Sequence, residues 1–184
     1  MRTSDVIVIN KIDTALPKNV EQLRKNILKV NPMAKVIDAA SPVSVENSEV
    51  IKGKRVLCIE DGPTLTHGEM KIGAAVVAAR KFGAAEIIDP RPYITGELVD
   101  TFKKYPGIGK VLPAMGYGKQ QIKDLEKTIK NTDCDAVIIG TPIDLNRVVK
   151  INQPSTRVFY DLEEIGRPKM EDVLNEFIKT KINQ

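Results

Sequence analysis

The sequence predicts an α/β protein built on a doubly wound, mostly parallel sheet of about seven strands, Rossmann-like and three-layered. Two observations predict it. Short β-branched runs such as Val6-Ile-Val-Ile9 and Val137-Ile-Ile139 show no in/out alternation, as expected of parallel strands covered on both faces. Between such runs lie longer segments with apolar residues at spacings of three and four, the mark of amphipathic helices. Strands alternating with helices make βαβ units and hence a parallel sheet.

The elements follow in order. The first strand is Asp5 to Ile9, followed by a helix from Pro17 to Val30. Leu16, Val20, Leu23, Ile27 and Val30 form one apolar stripe there, Pro17 suits a first helical position, and Asn31-Pro32 ends the helix. Lys35 to Asp38 is a second strand. From Ser41 to Lys54 the chain turns polar and irregular, so residues 42–52 read as a linker between a first domain, 1–41, and a second, 53–184. Beyond it come a strand at Arg55 to Ile59, a helix from Met70 to Phe82 closed by Gly83, and a short strand at Glu86 to Ile88. A helix from Thr95 to Tyr105 stops at Pro106-Gly107, and a strand near Lys110 to Leu112 leads to a helix from Lys119 to Lys130. Strands at Ala136 to Ile139 and Arg157 to Tyr160 precede a closing helix, Met170 to Ile178. Its stripe of Met170, Val173, Leu174, Phe177 and Ile178 reads as core-facing packing.

Composition narrows the function classes. The 184 residues are 42% hydrophobic, enough for a true core, and the net charge of +4 is spread along the chain with only 4% aromatics. A nucleic-acid surface needs clustered cations and stacking rings, so no nucleic acid is expected as partner. The longest small-apolar stretch, Gly73 to Ala79, is too short to span a bilayer. The first residues lead straight into a strand without a signal segment, so a cytoplasmic location is expected. Cys58 and Cys134 read as buried, reduced thiols, and one histidine, His67, leaves no Cys/His set for zinc.

Directly after the first strand stands Asn10-Lys11-Ile12-Asp13, the pattern N-K-x-D, at the carboxyl end of a parallel strand where α/β sheets bind ligands. Its chemistry suits guanine. The Asp13 carboxylate accepts from the ring N1–H and the exocyclic amine, a donor pair that adenine lacks. Asn10 bridges the base edge and the loops, and the stem of Lys11 covers the ring. The alternative is a polar loop that caps the following helix through Asp13 or Thr14. The Walker A pattern that should accompany such a corner does not occur, and a base reader without a phosphate cradle cannot position a triphosphate for transfer.

A second cluster, Glu60-Asp-Gly-Pro-Thr-Leu-Thr-His-Gly68, opens from the strand ending at Ile59 and precedes a helix. Two readings stand there: an anion site at a helix N-terminus, or a rigid turn capped by Thr66 or Asp61. The loops Asp89-Pro-Arg-Pro92, Pro113 to Gly118 and Gly140-Thr-Pro-Ile-Asp144 should gather on the same edge of a parallel sheet. Arg91 is then placed to pair with an anion, and Asp61 or Asp144 to hold magnesium. No G-x-G-x-x-G opens a helix after a strand, which weakens a dinucleotide-binding reading.

Taken together, the stretches Asp5 to Asp13, Glu60 to Gly68, Asp89 to Tyr93, Leu112 to Gly118 and Gly140 to Leu145 resemble the predicted GTPases related to cyclic 2,3-diphosphoglycerate synthetase. The resemblance implies a larger protein with its phosphate loop upstream, so this chain reads as a carboxyl-terminal piece, inert or nearly so alone. It implies a phosphoryl-transfer or ligase-type enzyme using Mg2+ with GTP or ATP, and acting on a small anionic phosphometabolite. By the same resemblance Asn10, Lys11 and Asp13 touch the nucleotide, and Asp61, Thr64, Thr66 and His67 line a second, substrate-side site. Within that edge Asp61 and His67 are the candidates for catalysis, Thr64, Thr66, Gly68, Arg91 and Thr141 for holding substrate anions, and Asp144 for the metal. A partner carrying the phosphate loop, or a homo-oligomer, is the expected company. The rival class is a non-catalytic module that binds a nucleotide or phosphometabolite and regulates.

Overall fold

The computed structural model describes residues 3–62, 73–114, 116 and 118–182. The fold class holds: helices and mostly parallel strands alternate. Among the described residues the strands are nine, in two sheets rather than one, and the chain forms two compact units, residues 1–42 with 160–184 and residues 43–159.

The first unit holds β1 (Val6–Ile9), α1 (Pro17–Val30), β2 (Lys35–Ala40), β9 (Glu163–Ile165) and α5 (Met170–Ile182). β1 and β2 are parallel, β9 joins β2 antiparallel, and the order is β1-β2-β9. Lys35 and Asp38 are an odd number of residues apart along β2, so their side chains leave opposite faces of the sheet. Asp38 pairs with Arg24 of α1 and Lys35 with Glu176 of α5, which places the two helices on opposite faces. Ile37 and Ala39 of β2 and Ile27 of α1 are buried between the layers.

The larger unit holds β3 (Val43–Val45), β4 (Arg55–Asp61), α2 (Ala74–Lys81), β5 (Glu86–Ile87), α3 (Glu97–Lys104), β6 (Leu112–Ala114), α4 (Lys119–Asn131), β7 (Ala136–Ile139) and β8 (Ser155–Tyr160). Its order is β3-β8-β7-β4-β5, with β6 also on β4. β4, β5, β6, β7 and β8 are mutually parallel where they pair. β4 and β7, apolar and β-branched, are buried almost throughout, and α2 covers them with Ala75, Val76, Ala78 and Ala79. Cys58 is buried in β4, where burial pushes its thiol well above the ordinary range; Cys134 is half-buried, and both are free thiols.

Several expected boundaries move. The segment read as a linker carries β3 and a 3-10 turn at Ser48–Val50, and β3 pairs with β8. The last residues, from Tyr160, group with the first unit rather than with the second. The start of α2 is at Ala74, β6 lies two residues later than expected, and the short β9 is additional. The stripe on α5 is the clearest correction. Val173 is buried, whereas Leu174, Phe177 and Ile178 stand exposed, because helical spacing specifies an apolar face without supplying anything to cover it. Among the described residues no helix is long and apolar enough to cross a membrane.

Candidate functional site

Two sets of polar residues stand at the carboxyl ends of parallel strands, one in each unit. In the first unit β1 ends at Ile9 and the chain turns through Asn10 to Asp13. The N–H of Lys11 donates to Asn10 Oδ1 at 2.7 Å, and Lys11 takes a left-handed backbone with φ 62°, a conformation unfavourable for a side chain this long. The N–H of Ile12 donates to the carbonyl of Ala39 at 3.1 Å, and the N–H of Ser41 donates to Asp13 Oδ1 at 3.2 Å. The turn is thereby tied to the end of β2, and Asn10, Lys11 and Asp13 all stand exposed. Asp13 does not cap α1, since the residue before the helix is Leu16 and no side chain caps it.

In the larger unit the edge is set by register. Asp61 lies level with Ala114 and Ile59 with Ile139, so the ends of β4, β6 and β7 stand together. Glu60, only 3% exposed, turns its carboxylate onto the first turn of α2, where the N–H of Val76 donates to Oε1 at 3.1 Å. Two glycines make the space. A Cβ on Gly73 would fall 2.2 Å from this carboxylate, and one on Gly140 would fall 2.7 Å from Glu60 Oε2 and from the Ala75 nitrogen. Burial raises the Glu60 carboxyl to about 7, against the pull of the N–H groups of Val76, Ala75 and Ala74, with the charge of Asp61 adding to the rise. The start of α2 is thus already occupied by a carboxyl group: the protein's own.

Asp61 is half-buried at the strand end, and Thr141 is buried just past β7 with the N–H of Ile143 donating to its hydroxyl at 3.4 Å. Thr64, Thr66, His67 and Gly68 lie outside the described residues. Asp144, three residues past Thr141, faces two guanidinium groups, Arg147 at 3.2 Å and Arg157 at 3.7 Å. Arg157 is level with Ile139 on β8 and lies over the Phe159 ring at 5.2 Å. Paired cations around one carboxylate suit an anionic ligand better than a divalent metal. Among the described residues no group of three or more His, Cys, Asp or Glu side chains is placed to hold a metal.

Arg91 stands elsewhere. β5 ends at Ile87, level with Val56 and five residues short of the end of β4. Arg91 bonds Asp89 Oδ2 at 2.9 Å and donates to the carbonyl of Ile108 at 2.7 Å, ahead of β6 rather than after it. It braces the entry to a strand and is not gathered with the edge residues. Glu60, which the sequence placed in the polar cluster without a role of its own, and Arg157 are the residues whose part here sequence reasoning did not assign. Glu60 could have been found from an acid closing an otherwise apolar strand with a glycine opening the next helix; Arg157 had no signal beyond being a cation within a strand.

Fold and edge together define the class, a Rossmann-like α/β chain with its polar loops at the carboxyl ends of parallel strands. No protein-family model matches the chain. It is 61% identical over 178 residues, 97% of its length, to a protein of Thermococcus kodakarensis named arginine synthetase ArcE. The chain spans 40% of the length of that relative.

Proposed function

We propose that this chain is the carboxyl-terminal portion of a nucleotide-dependent, ligase-type enzyme that forms arginine, and that it is inactive alone. The observation that carries the reading is the 61% identity, over 97% of the chain, to part of a protein named arginine synthetase. A synthetase couples bond formation to nucleotide cleavage, and the N-K-x-D turn, tied to β2 through Asp13 and Ser41, supplies a base-reading corner for a guanine nucleotide. The resemblance to the cyclic 2,3-diphosphoglycerate synthetase-related GTPases supports phosphoryl transfer as the activating step.

In this reading the nucleotide supplies an activated phosphoryl group, and the larger unit presents the acceptor. Thr141 and the guanidinium groups of Arg147 and Arg157 receive an anionic substrate at the polar edge beside Asp61, and the sequence pattern assigns Thr64, Thr66 and His67 to the same substrate. Magnesium, which a phosphoryl-transfer enzyme of this kind requires, neutralises phosphate charge. Asp144, held between two arginines, does not fit a magnesium ion by itself. The ion's ligands are assigned to the nucleotide and to the remaining portion of the enzyme, and no step is routed through it here.

Calorimetric titration of the purified chain with GDP, ADP and arginine tests the reading. Binding of GDP in preference to ADP, lost in Asp13→Ala, together with binding of arginine, is expected. A folded chain that binds neither a nucleotide nor arginine contradicts it, and a chain that binds GDP yet has no role in arginine formation points to the regulatory class instead.

A further inference from the structure

Among the described residues four buried side-chain atoms have no hydrogen-bond partner, and two of the four belong to one ion pair: Asp144 Oδ1 and Arg157 Nε. A buried polar atom without a partner costs stability, so a native fold keeps few of them, and two in a single pair call for a reason.

The geometry supplies one. Arg157 and Phe159, two residues apart on β8, leave the same face of the sheet, and the guanidinium lies over the ring at 5.2 Å, which steadies it. Arg157 Nη1 faces Asp144 Oδ2 at 3.7 Å, and Arg147 Nε approaches the same oxygen at 3.2 Å. One carboxylate oxygen therefore serves two cations while its fellow, Oδ1, serves none. The two missing partners are of opposite kind, since Oδ1 needs a donor and the Nε–H needs an acceptor. The charges say the same. A simple anion would be drawn to the arginines and repelled by Asp144, and a simple cation would meet the reverse. A ligand carrying both charges side by side meets neither conflict. The side chains of Asp144 and Arg157 are 25% and 24% exposed, so the pair is open to a ligand. The terminal torsion of an aspartate is soft enough to turn Oδ1 toward one.

We propose that Asp144 and Arg157, with Arg147 beside them, seat the α-amino acid end of the substrate. The α-ammonium donates to Asp144 Oδ1, and the α-carboxylate accepts from Arg157 Nε and from the exposed Arg147 guanidinium. A free α-amino acid is the chemical class that carries these two charges on one carbon. Arg157 is level with Ile139, so the seat stands where β7 and β8 end, on the polar edge that also holds Thr141. The inference rests on the reading of the chain as part of an arginine-forming enzyme. It adds which end of the amino acid this edge holds, and makes Asp144 a ligand for an ammonium group.

The test titrates the purified chain by calorimetry with arginine, with agmatine, which lacks the α-carboxylate, and with δ-guanidinovalerate, which lacks the α-amine. Arginine is expected to bind at least tenfold more tightly than either. Asp144→Asn should weaken arginine at least tenfold without weakening δ-guanidinovalerate, whereas Arg157→Gln should weaken both and spare agmatine. The ligand series needs no variant, and circular dichroism verifies the fold of the two that are made. Agmatine or δ-guanidinovalerate bound as tightly as arginine overturns the proposal. So does inorganic phosphate bound more tightly than arginine, which makes the cluster a plain anion site. The two readings fail separately. Arginine bound undiminished by both variants removes this seat and leaves the proposed function standing. Lysine bound as tightly as arginine, and lost in Asp144→Asn, keeps the seat and removes the arginine reading.

Discussion

The backbone N–H of Val76 donates to the carboxylate of Glu60 at 3.1 Å, closing the first turn of α2 onto the end of the central strand β4. One buried acid thus replaces the external anion that a helix N-terminus at a sheet edge would otherwise attract. Chain direction, the absence of a Cβ at Gly73 and Gly140, and the helix dipole all converge on it.

Glu60 makes stability fall as pH rises. Its folded pKa of about 7 lies above the ordinary carboxylate value, so between about pH 4.5 and 7 the folded state holds a proton that the unfolded state has lost. The stabilisation is complete below that window and is lost across it, by about 3 kcal/mol from this group. Urea unfolding of wild type and Glu60→Gln between pH 4 and 8 checks this. The wild type should lose stability across the window relative to the variant, and identical slopes would exclude the assignment.

Gly140→Ala should destabilise the larger unit. The added methyl would lie 2.7 Å from the backbone nitrogen of Ala75, a group that cannot swing aside. Overpacking of this kind costs about 1–3 kcal/mol, read from the urea midpoint.

Asp13→Asn should change the preferred base. An amide presents one acceptor and one donor where the carboxylate presents two acceptors, so it no longer matches the N1–H and amine of guanine. It matches instead the N1–H and carbonyl of xanthine. GDP affinity should fall at least tenfold, with a gain for xanthosine diphosphate, since an unpaired polar group costs about 1.4 kcal/mol or more. Equal loss of both would make Asp13 a structural tie to Ser41 alone.

Arg91→Ala should lower stability by about 1 kcal/mol through loss of its bonds to Asp89 and the Ile108 carbonyl. Ligand affinities should be unaltered, because the side chain is engaged ahead of β6. A specific loss of anion binding would return it to the site.

Much of this architecture was legible in the sequence, for reasons that also explain what was not. β1, β4 and β7 announce themselves because a strand covered on both faces must be apolar throughout. β9 is Glu-Glu-Ile and β3 Val-Ser-Val, too short and too polar to stand out from loops. Local pattern carries no information about which sheet a strand joins, so the grouping of β9 and α5 with the first unit could not be read. The N-K-x-D turn was found at its strand end because its residue types and the preceding strand are contiguous. The convergence of Glu60 with Gly73, Gly140 and Val76 is made by residues far apart in the chain and needed the fold. Arg91 was misplaced for a related reason: β5 is parallel to β4 but ends early, and strand length along a shared edge is set by pairing, not by pattern.

The most direct measurement replaces the matched 178-residue region of the Thermococcus kodakarensis arginine synthetase with this chain and follows arginine formation and nucleotide cleavage together. The account predicts arginine made in step with nucleotide cleaved, and neither from the chain alone. A folded chimera that cleaves nucleotide without making arginine, or does neither, would contradict it.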